Sequence, residues 1–359
     1  MQDNSNSSIS SLDMFFIING TVVGVGVLSV ANSQIKICYQ DGWISMLLGG
    51  IYPIIIVLLG NYLIKKYPKD NVLVLNDRFF GRFIGGILNF IFGSYFFMIL
   101  VFGVCGAANV FRVYGIAFIK PLKFIGLAVF VGGWAAHKGL RVLAKINIIG
   151  FIISIVFIVS IIPGSFKGTY TNILPVFQMK TTDLMKAMIQ TFYSYSGAEV
   201  LMLFHPYIRD KNKIRKNSLI SVLIIIFMYI IVTISTIFYY GPEIAPKSMW
   251  SLIDISKSIE IPILNNFRFI LVCMIIIISL KIIVNYYFCS SVVVQHIFKI
   301  KKMEYIIMVL YPIIVYLAMK LTNEIFRRKV SDTIFPYYII FVLVMLITIA
   351  IITAFKKKG

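Results

Sequence analysis

Two ionisable side chains stand in the middle of long apolar runs. Glu199 closes the stretch Phe192-Tyr193-Ser194-Tyr195-Ser196-Gly197-Ala198-Glu199, and Lys281 lies inside Ile277-Ile278-Ser279-Leu280-Lys281-Ile282-Ile283. A charge in a membrane-spanning segment costs about 2.5 kcal/mol or more, so each must face the interior of a helix bundle, lose its charge or find a partner. The options are an ion pair between the two, a contact to a bound ligand, or carriage of a proton. Lys281 has one more, to reach along its stem to the membrane surface.

The backbone supplies a second set of groups. Asn19-Gly20-Thr21-Val22-Val23-Gly24-Val25-Gly26-Val27-Leu28 lies in an apolar run at 14–31 and carries three glycines. Glycine disfavours helix by about 1 kcal/mol relative to alanine, so Gly24-Val25-Gly26 is a place for a membrane helix to unwind. Unwound backbone is tolerated in lipid only where protein covers it or a wet cavity receives it. There its free N–H groups suit the carboxylate of a small molecule. The plainer alternative is close helix packing over small residues. Gly24, Val25, Gly26 and Val27 are therefore ligand-binding candidates, joined by Ser196, Gly197 and Glu199 from the other interrupted stretch. Tyr95 and Tyr286, with Tyr287, Ser290 and Ser291, offer aromatic and hydroxyl walls for a pocket, or ordinary interior packing. Asn19 and Thr21 either cap half-helix ends or bond to a neighbouring helix.

These groups need helices to hold them. In 359 residues, 59% are hydrophobic and only 13% charged, with a mean hydropathy of +0.91, which excludes an ordinary soluble globule. Ten apolar spans are expected near 14–31, 43–64, 83–106, 119–136, 144–163, 184–205, 218–240, 263–297, 305–320 and 334–355. The eighth is too long for a perpendicular crossing and should tilt or continue beyond the membrane. The formal charge of +20 is not a nucleic-acid signal, because the basic residues cluster in short loops beside the spans. Loops at 65–82, 137–145, 209–217 and 298–304 and the tail at 356–358 hold nineteen Lys and Arg. The alternate loops hold Lys36, Arg112, Lys167, Lys180, Lys247, Lys257, Arg327, Arg328 and Lys329. Both termini should be cytoplasmic. Residues 1–13 contain no Lys or Arg and do not read as a signal peptide. Cys38, Cys105, Cys273 and Cys289 are scattered, and His137, His205 and His296 fall near helix ends without metal-like spacing. No metal or cofactor is expected, and no nucleophile elbow, phosphate loop or catalytic carboxylate pair points to an enzyme.

The first span enters from the cytoplasm and the sixth from outside, so breaks in both fit two five-span halves related by inversion. At the residue level, Gly24-Val25-Gly26-Val27-Leu28 resembles the glycine-rich first-helix motif of amino acid, polyamine and organocation transporters. Tyr195-Ser196-Gly197-Ala198-Glu199 resembles their sixth-helix motif. With Asp41-Gly42-Trp43-Ile44-Ser45 opening the second span and Lys66-Tyr67-Pro68 closing it, the chain more closely resembles the endospore germination permeases, the B subunits of spore germinant receptors. That resemblance implies an all-α polytopic protein of the LeuT-like fold, one transmembrane domain with repeats at 14–163 and 184–355. It also implies an amino acid or similar germinant bound between broken helices 1 and 6, and residence in the spore inner membrane. The implied partners are an A subunit, a lipoprotein C subunit and membrane lipids. The competing expectation is a proton- or sodium-coupled amino acid transporter. Some proton-coupled relatives carry a lysine within the fifth span, whereas here Lys145 stands only at its edge, though Glu199 or Lys281 could carry protons.

Overall fold

The computed structural model describes residues 8–115, 118–259 and 267–355. The basic tail at 356–358 and the first residues of the expected eighth span lie outside them.

Fourteen α-helices make up the described fold. They are α1 (Ser11–Val22), α2 (Val30–Cys38), α3 (Gly42–Gly49), α4 (Ile51–Lys66), α5 (Val72–Tyr114), α6 (Pro121–His137) and α7 (Leu140–Ser165), followed by α8 (Thr181–Ser194), α9 (Val200–Phe204), α10 (Ile214–Ile244), α11 (Ser251–Lys257), α12 (Phe267–Phe298), α13 (Met303–Lys320) and α14 (Glu324–Phe355). The only β pairing among the described residues is a parallel bridge between Ile9 and Ile208. Seven helical stretches are long and apolar enough to cross a membrane by length and composition, and α1 and α6 are shorter apolar helices. This is the architecture of an integral, multi-pass membrane protein, in which side chains such as Phe90, Trp134, Ile152, Phe227 and Met308 stand exposed on the outside of the bundle.

The helices are not ten simple rods. The expected loop at 65–82 is largely helix, because α5 begins at Val72 and turns at Gly81, whose φ of +76° only glycine adopts readily. Asn76 and Asn89 then tie the short first arm of α5 back onto the long one at 2.8 Å. Its counterpart is Gly241, with φ +71°, where α10 bends after its apolar run. As expected, α12 is long, about 48 Å at 1.5 Å per residue, which exceeds the bilayer core. It packs along α5, α6, α7 and α1. Small residues permit the approach: a Cβ at Gly93 or Gly132 would lie 2.6 or 2.5 Å from Val293 or Ile283 of α12.

Each of two aspartates closes one face of the bundle. At the N-terminal face, a Ser10–Asp13 capping box starts α1. Asp210 receives the Ser11 amide at 2.6 Å and the Ser11 hydroxyl at 2.5 Å, beside the Ile9–Ile208 bridge. On the far face, buried Asp41 accepts the amides of Phe177, Gln178 and Met179 at 2.8, 2.7 and 3.1 Å. This gives the Asp41-Gly42-Trp43 sequence a structural role, joining the end of α2 to the loop that leads into α8. Lys120 and Lys320, at the helix ends on this far face, add to its basic residues.

Burial raises the Asp210 carboxyl pKa, but the two bonds from Ser11 outweigh it and hold the group below its ordinary value of about 3.8. A depressed folded-state value means stability that is present above the ordinary value and is lost as pH falls through the lower one. The Ile9–Ile208 clasp should therefore loosen in acid below about pH 3.8. Asp210→Asn should weaken it already at neutral pH. Amide exchange at Ile9 and Arg209 reports both effects, and equal protection in the variant would assign the clasp to other contacts.

Candidate functional site

The first crossing loses its helix where the glycines stand. α1 ends at Val22, Gly24 is extended (φ −131°, ψ −159°), a 3-10 turn covers Val25–Leu28, and α2 resumes at Val30. Among the described residues, the amides of Gly24, Val25 and Gly26 have no hydrogen-bond acceptor. The second interruption separates α8 from α9, with Gly197 at φ +127°. The two breaks touch: a Cβ at Gly197 would sit 3.0 Å from the Thr21 carbonyl carbon and 3.1 Å from the Tyr286 hydroxyl, so this position excludes side chains twice over.

The carbonyls freed at the helix ends are taken by tyrosines. The Tyr286 hydroxyl donates to the Thr21 carbonyl at 3.3 Å. The Tyr229 hydroxyl, on α10, lies 3.1 Å from both the Val22 and Ser194 carbonyls, and so bridges the last residue of α1 and the last residue of α8. A reciprocal pair, Asn147 on α7 and Asn285 on α12, bonds at 2.7 and 2.9 Å, and Asn285 reaches the Thr21 hydroxyl at 3.2 Å. The end of α1 is thereby fixed from three neighbouring helices while the amides beyond it stay free.

The residues that carry those amides line a cavity of about 340 Å³. Gly24, Val25, Gly26, Ser196 and Tyr286 line it, as expected from the sequence, and so do Thr21, Tyr229, Phe102 and Tyr193. It extends toward the far face, where Lys36, Trp250, Arg327, Arg328 and Asp332 complete its wall. Toward the N-terminal face the path is filled by buried Met14, Ile17 and Ile18 of α1 and by Leu201 and Phe204 of α9.

The remaining expected residues lie behind the cavity wall. Val27, Tyr95 and Gly197 are buried without lining it. Tyr95 packs against Phe96 and Tyr338. Tyr287 donates to the Ile307 carbonyl at 2.8 Å, away from the site. Glu199 and Lys281 are both fully buried and do not pair. Glu199 accepts the Tyr52 hydroxyl of α4 and, at 2.5 Å, the Gly197 amide. Lys281 turns to α7, where it bonds to the Ser154 hydroxyl at 2.8 Å and the Gly150 carbonyl at 3.5 Å. A Cβ at Gly150 would meet the Lys281 stem at 2.6 Å, so this glycine admits the lysine to α7, where it is buried and does not reach the surface. The three histidines are apart: His137 is near Glu304, His296 bonds to Asp77 and His205 faces the Tyr67 carbonyl.

With separate partners, Glu199 and Lys281 should contribute independently. In a double-mutant cycle, Glu199→Gln and Lys281→Met should add to within about 0.5 kcal/mol. A coupling well above that in detergent melting experiments would reinstate the ion pair.

Together, the all-helical bundle, the two touching breaks and the cavity they line define a multi-pass membrane protein of the LeuT-like fold. The solved structure of MhsT in complex with L-phenylalanine superposes with a TM-score of 0.70 at 16% identity, covering 97% of this chain and 89% of that one. The spore germination protein family matches residues 8–327, and the chain belongs to this family of spore permeases. It is 26% identical to the spore germination protein GerQB of Bacillus cereus over 74% of this chain and 73% of that protein. It is 23% identical to the spore germination protein YndE of Bacillus subtilis (strain 168) over 98% of both.

Proposed function

We propose that this chain is the nutrient-sensing membrane subunit of a spore germinant receptor. Counted with each broken helix as one crossing, α1 to α7 form one five-crossing repeat at 14–163 and α8 to α14 the other at 184–355, in a single membrane domain. A small germinant, an amino acid in the first instance, binds at the meeting of the two breaks. One observation carries the reading: the unpaired amides at Gly24–Gly26 and the C-terminal ends of α1 and α8, whose carbonyls Tyr286 and Tyr229 engage, belong to the lining of one cavity. Such a pair of opposite backbone poles suits a zwitterion. The L-phenylalanine held by MhsT supports the ligand class.

Binding favours one packing of the broken helices over another and shifts its population. Reversing a 99:1 equilibrium takes about 5.5 kcal/mol of differential affinity, so several linked receptors supply steepness that one weak site lacks. The readout passes to an A subunit and a lipoprotein C subunit in the spore inner membrane, with both termini of this chain cytoplasmic and no catalysis by the chain itself. The test is a thermal-shift panel of the purified protein against the twenty L-amino acids. A ligand at one hundred times its Kd stabilises by about 2.7 kcal/mol, which a melting curve resolves. A panel without a single shift overturns the amino-acid reading.

A second reading, coupled amino acid transport, is favoured by Lys281, a buried amine whose partners are a hydroxyl and a carbonyl. Concentrative uptake of labelled amino acid into proteoliposomes containing this chain alone would establish it and displace the pure sensor.

A further inference from the structure

The far end of the cavity holds a cationic group that the sequence places in a loop. α14 starts at Glu324, so Arg327 and Arg328 fall in its first two turns. The Glu324 carboxylate is buried and receives four donors: Arg327 Nε at 2.9 Å, Arg327 Nη2 at 2.5 Å, Arg328 Nε at 2.8 Å and Asn109 Nδ2 at 2.8 Å. Two guanidinium groups thus share one carboxylate, which leaves one positive charge in excess. Arg328 also bonds the Met249 carbonyl through Nη2 at 2.6 Å. Arg327, 13% exposed in its side chain, has no acceptor for Nη1 among the described residues.

That free edge points at the break. A Cβ at Gly106 would lie 3.1 Å from Val25 Cγ1 and 3.6 and 3.7 Å from Cζ and Nη1 of Arg327. Gly106 is therefore the gap through which Arg327 approaches Val25, and all three line the cavity. Lys36 and Asp332 are the other charged groups on the wall, and Asp332 interacts with Arg328 and Arg327 as well as with Lys36. The wall keeps a net positive charge, on the same cavity as three amides that already favour an anion.

From this we infer that the cavity selects ligands with a free carboxylate, which sits between the Gly24–Gly26 amides and Arg327 Nη1, and that Gly106 is a specificity-determining residue because it sets that distance. The inference rests on the binding site proposed above and adds the chemical class that the site accepts. A carboxylate brings the one negative charge by which Glu324 and Asp332 fall short of Lys36, Arg327 and Arg328, and a guanidinium in a partly desolvated site binds it by directed charge-assisted bonds. Carboxamides and neutral nutrients bring no such charge.

The test uses the full-length purified protein and four kinds of probe in thermal-shift titrations: L-alanine and L-phenylalanine, their carboxamides, propionate, and the neutral sugar D-glucose. The two amino acids should stabilise the protein and their carboxamides should bind at least tenfold more weakly. Arg327→Gln should weaken amino acid binding at least tenfold, while Arg328 and Asn109 continue to hold Glu324. Should Arg327→Gln fold poorly, Gly106→Ala carries the same test, since its methyl group presses on Val25 at 3.1 Å and fills the gap beside Arg327. Carboxamides that bind as well as the acids, or Arg327→Gln and Gly106→Ala proteins that bind as wild type does, overturn the inference and leave the amino-acid site standing. Arg327-dependent binding of propionate without any amino acid binding upholds the inference and removes the amino-acid reading. Binding of D-glucose alone, or of none of the probes and none of the twenty L-amino acids, removes both.

Discussion

Gly26→Leu abolishes ligand binding while the protein stays folded. The expectation follows from the different surroundings of the two glycines in the break. A Cβ on Gly26 meets nothing within 4 Å, and Gly26 lines the cavity, so a leucine side chain there occupies the space meant for the ligand. Its φ is that of a 3-10 turn, which any L-residue adopts, so the backbone cost is small. Affinity for the stabilising amino acid should fall by at least a hundredfold, about 2.7 kcal/mol, with the ligand-free melting temperature within a few degrees of wild type. Gly24 is the contrasting case. Its Cβ would lie 2.6 and 2.8 Å from Ile282 of α12, so Gly24→Leu overpacks the joint between the break and α12. It should cost stability, of order 1–3 kcal/mol, as well as binding. Titration calorimetry and detergent melting on the two variants separate the effects. A Gly26→Leu protein that binds normally would put the ligand elsewhere.

What the sequence discloses of this site is its backbone, and what it withholds is direction. Both breaks are legible because glycines and polar residues interrupt apolar runs that lipid would otherwise keep helical: Gly24-Val25-Gly26 in one and Ser196-Gly197 in the other. The bend at Gly81 is not, since Phe79-Phe80-Gly81-Arg82 reads equally as a loop between spans. The expected partnership of Glu199 with Lys281 shows the same gap. Opposite charges in two spans are visible, but which neighbour each faces depends on packing. The space at Gly150 turns Lys281 to α7, and Tyr52 draws Glu199 to α4. Tyr229 escapes notice because its run, 218–240, has neither a glycine nor a charge to mark it. Arg327 is hidden by its company, since Arg327-Arg328-Lys329 looks like a surface loop. A signal was present in the i,i+3 and i,i+4 spacing of Glu324 to Arg327 and Arg328, which places both pairs on one helix face.

Glu199→Ala should be the most destabilising single substitution at the site. The carboxylate is fully buried and satisfies two donors, the Tyr52 hydroxyl and the Gly197 amide. Removing it orphans both, at about 1–3 kcal/mol each, in an interior where water is scarce. The loss is not confined to those bonds. Gly197 holds a positive φ against the Thr21 carbonyl, and its amide is anchored by Glu199, so the turn that brings the two breaks together depends on this side chain. Tyr52→Phe is the gentler probe. The ring keeps its stacking on Phe192, at a centroid distance of 5.2 Å, and only one bond to Glu199 is lost. It should cost about 1–3 kcal/mol and lower amino acid affinity only as far as the turn at Gly197 relaxes. Melting in detergent with and without ligand distinguishes a positioning role from a ligand contact. If Glu199 acts through Gly197, Glu199→Gln, which keeps an acceptor, recovers both stability and binding in part. If Glu199→Ala melts with wild type yet fails to bind, the carboxylate touches the ligand itself, and the cavity must open further behind Ser196 than it does in this conformation.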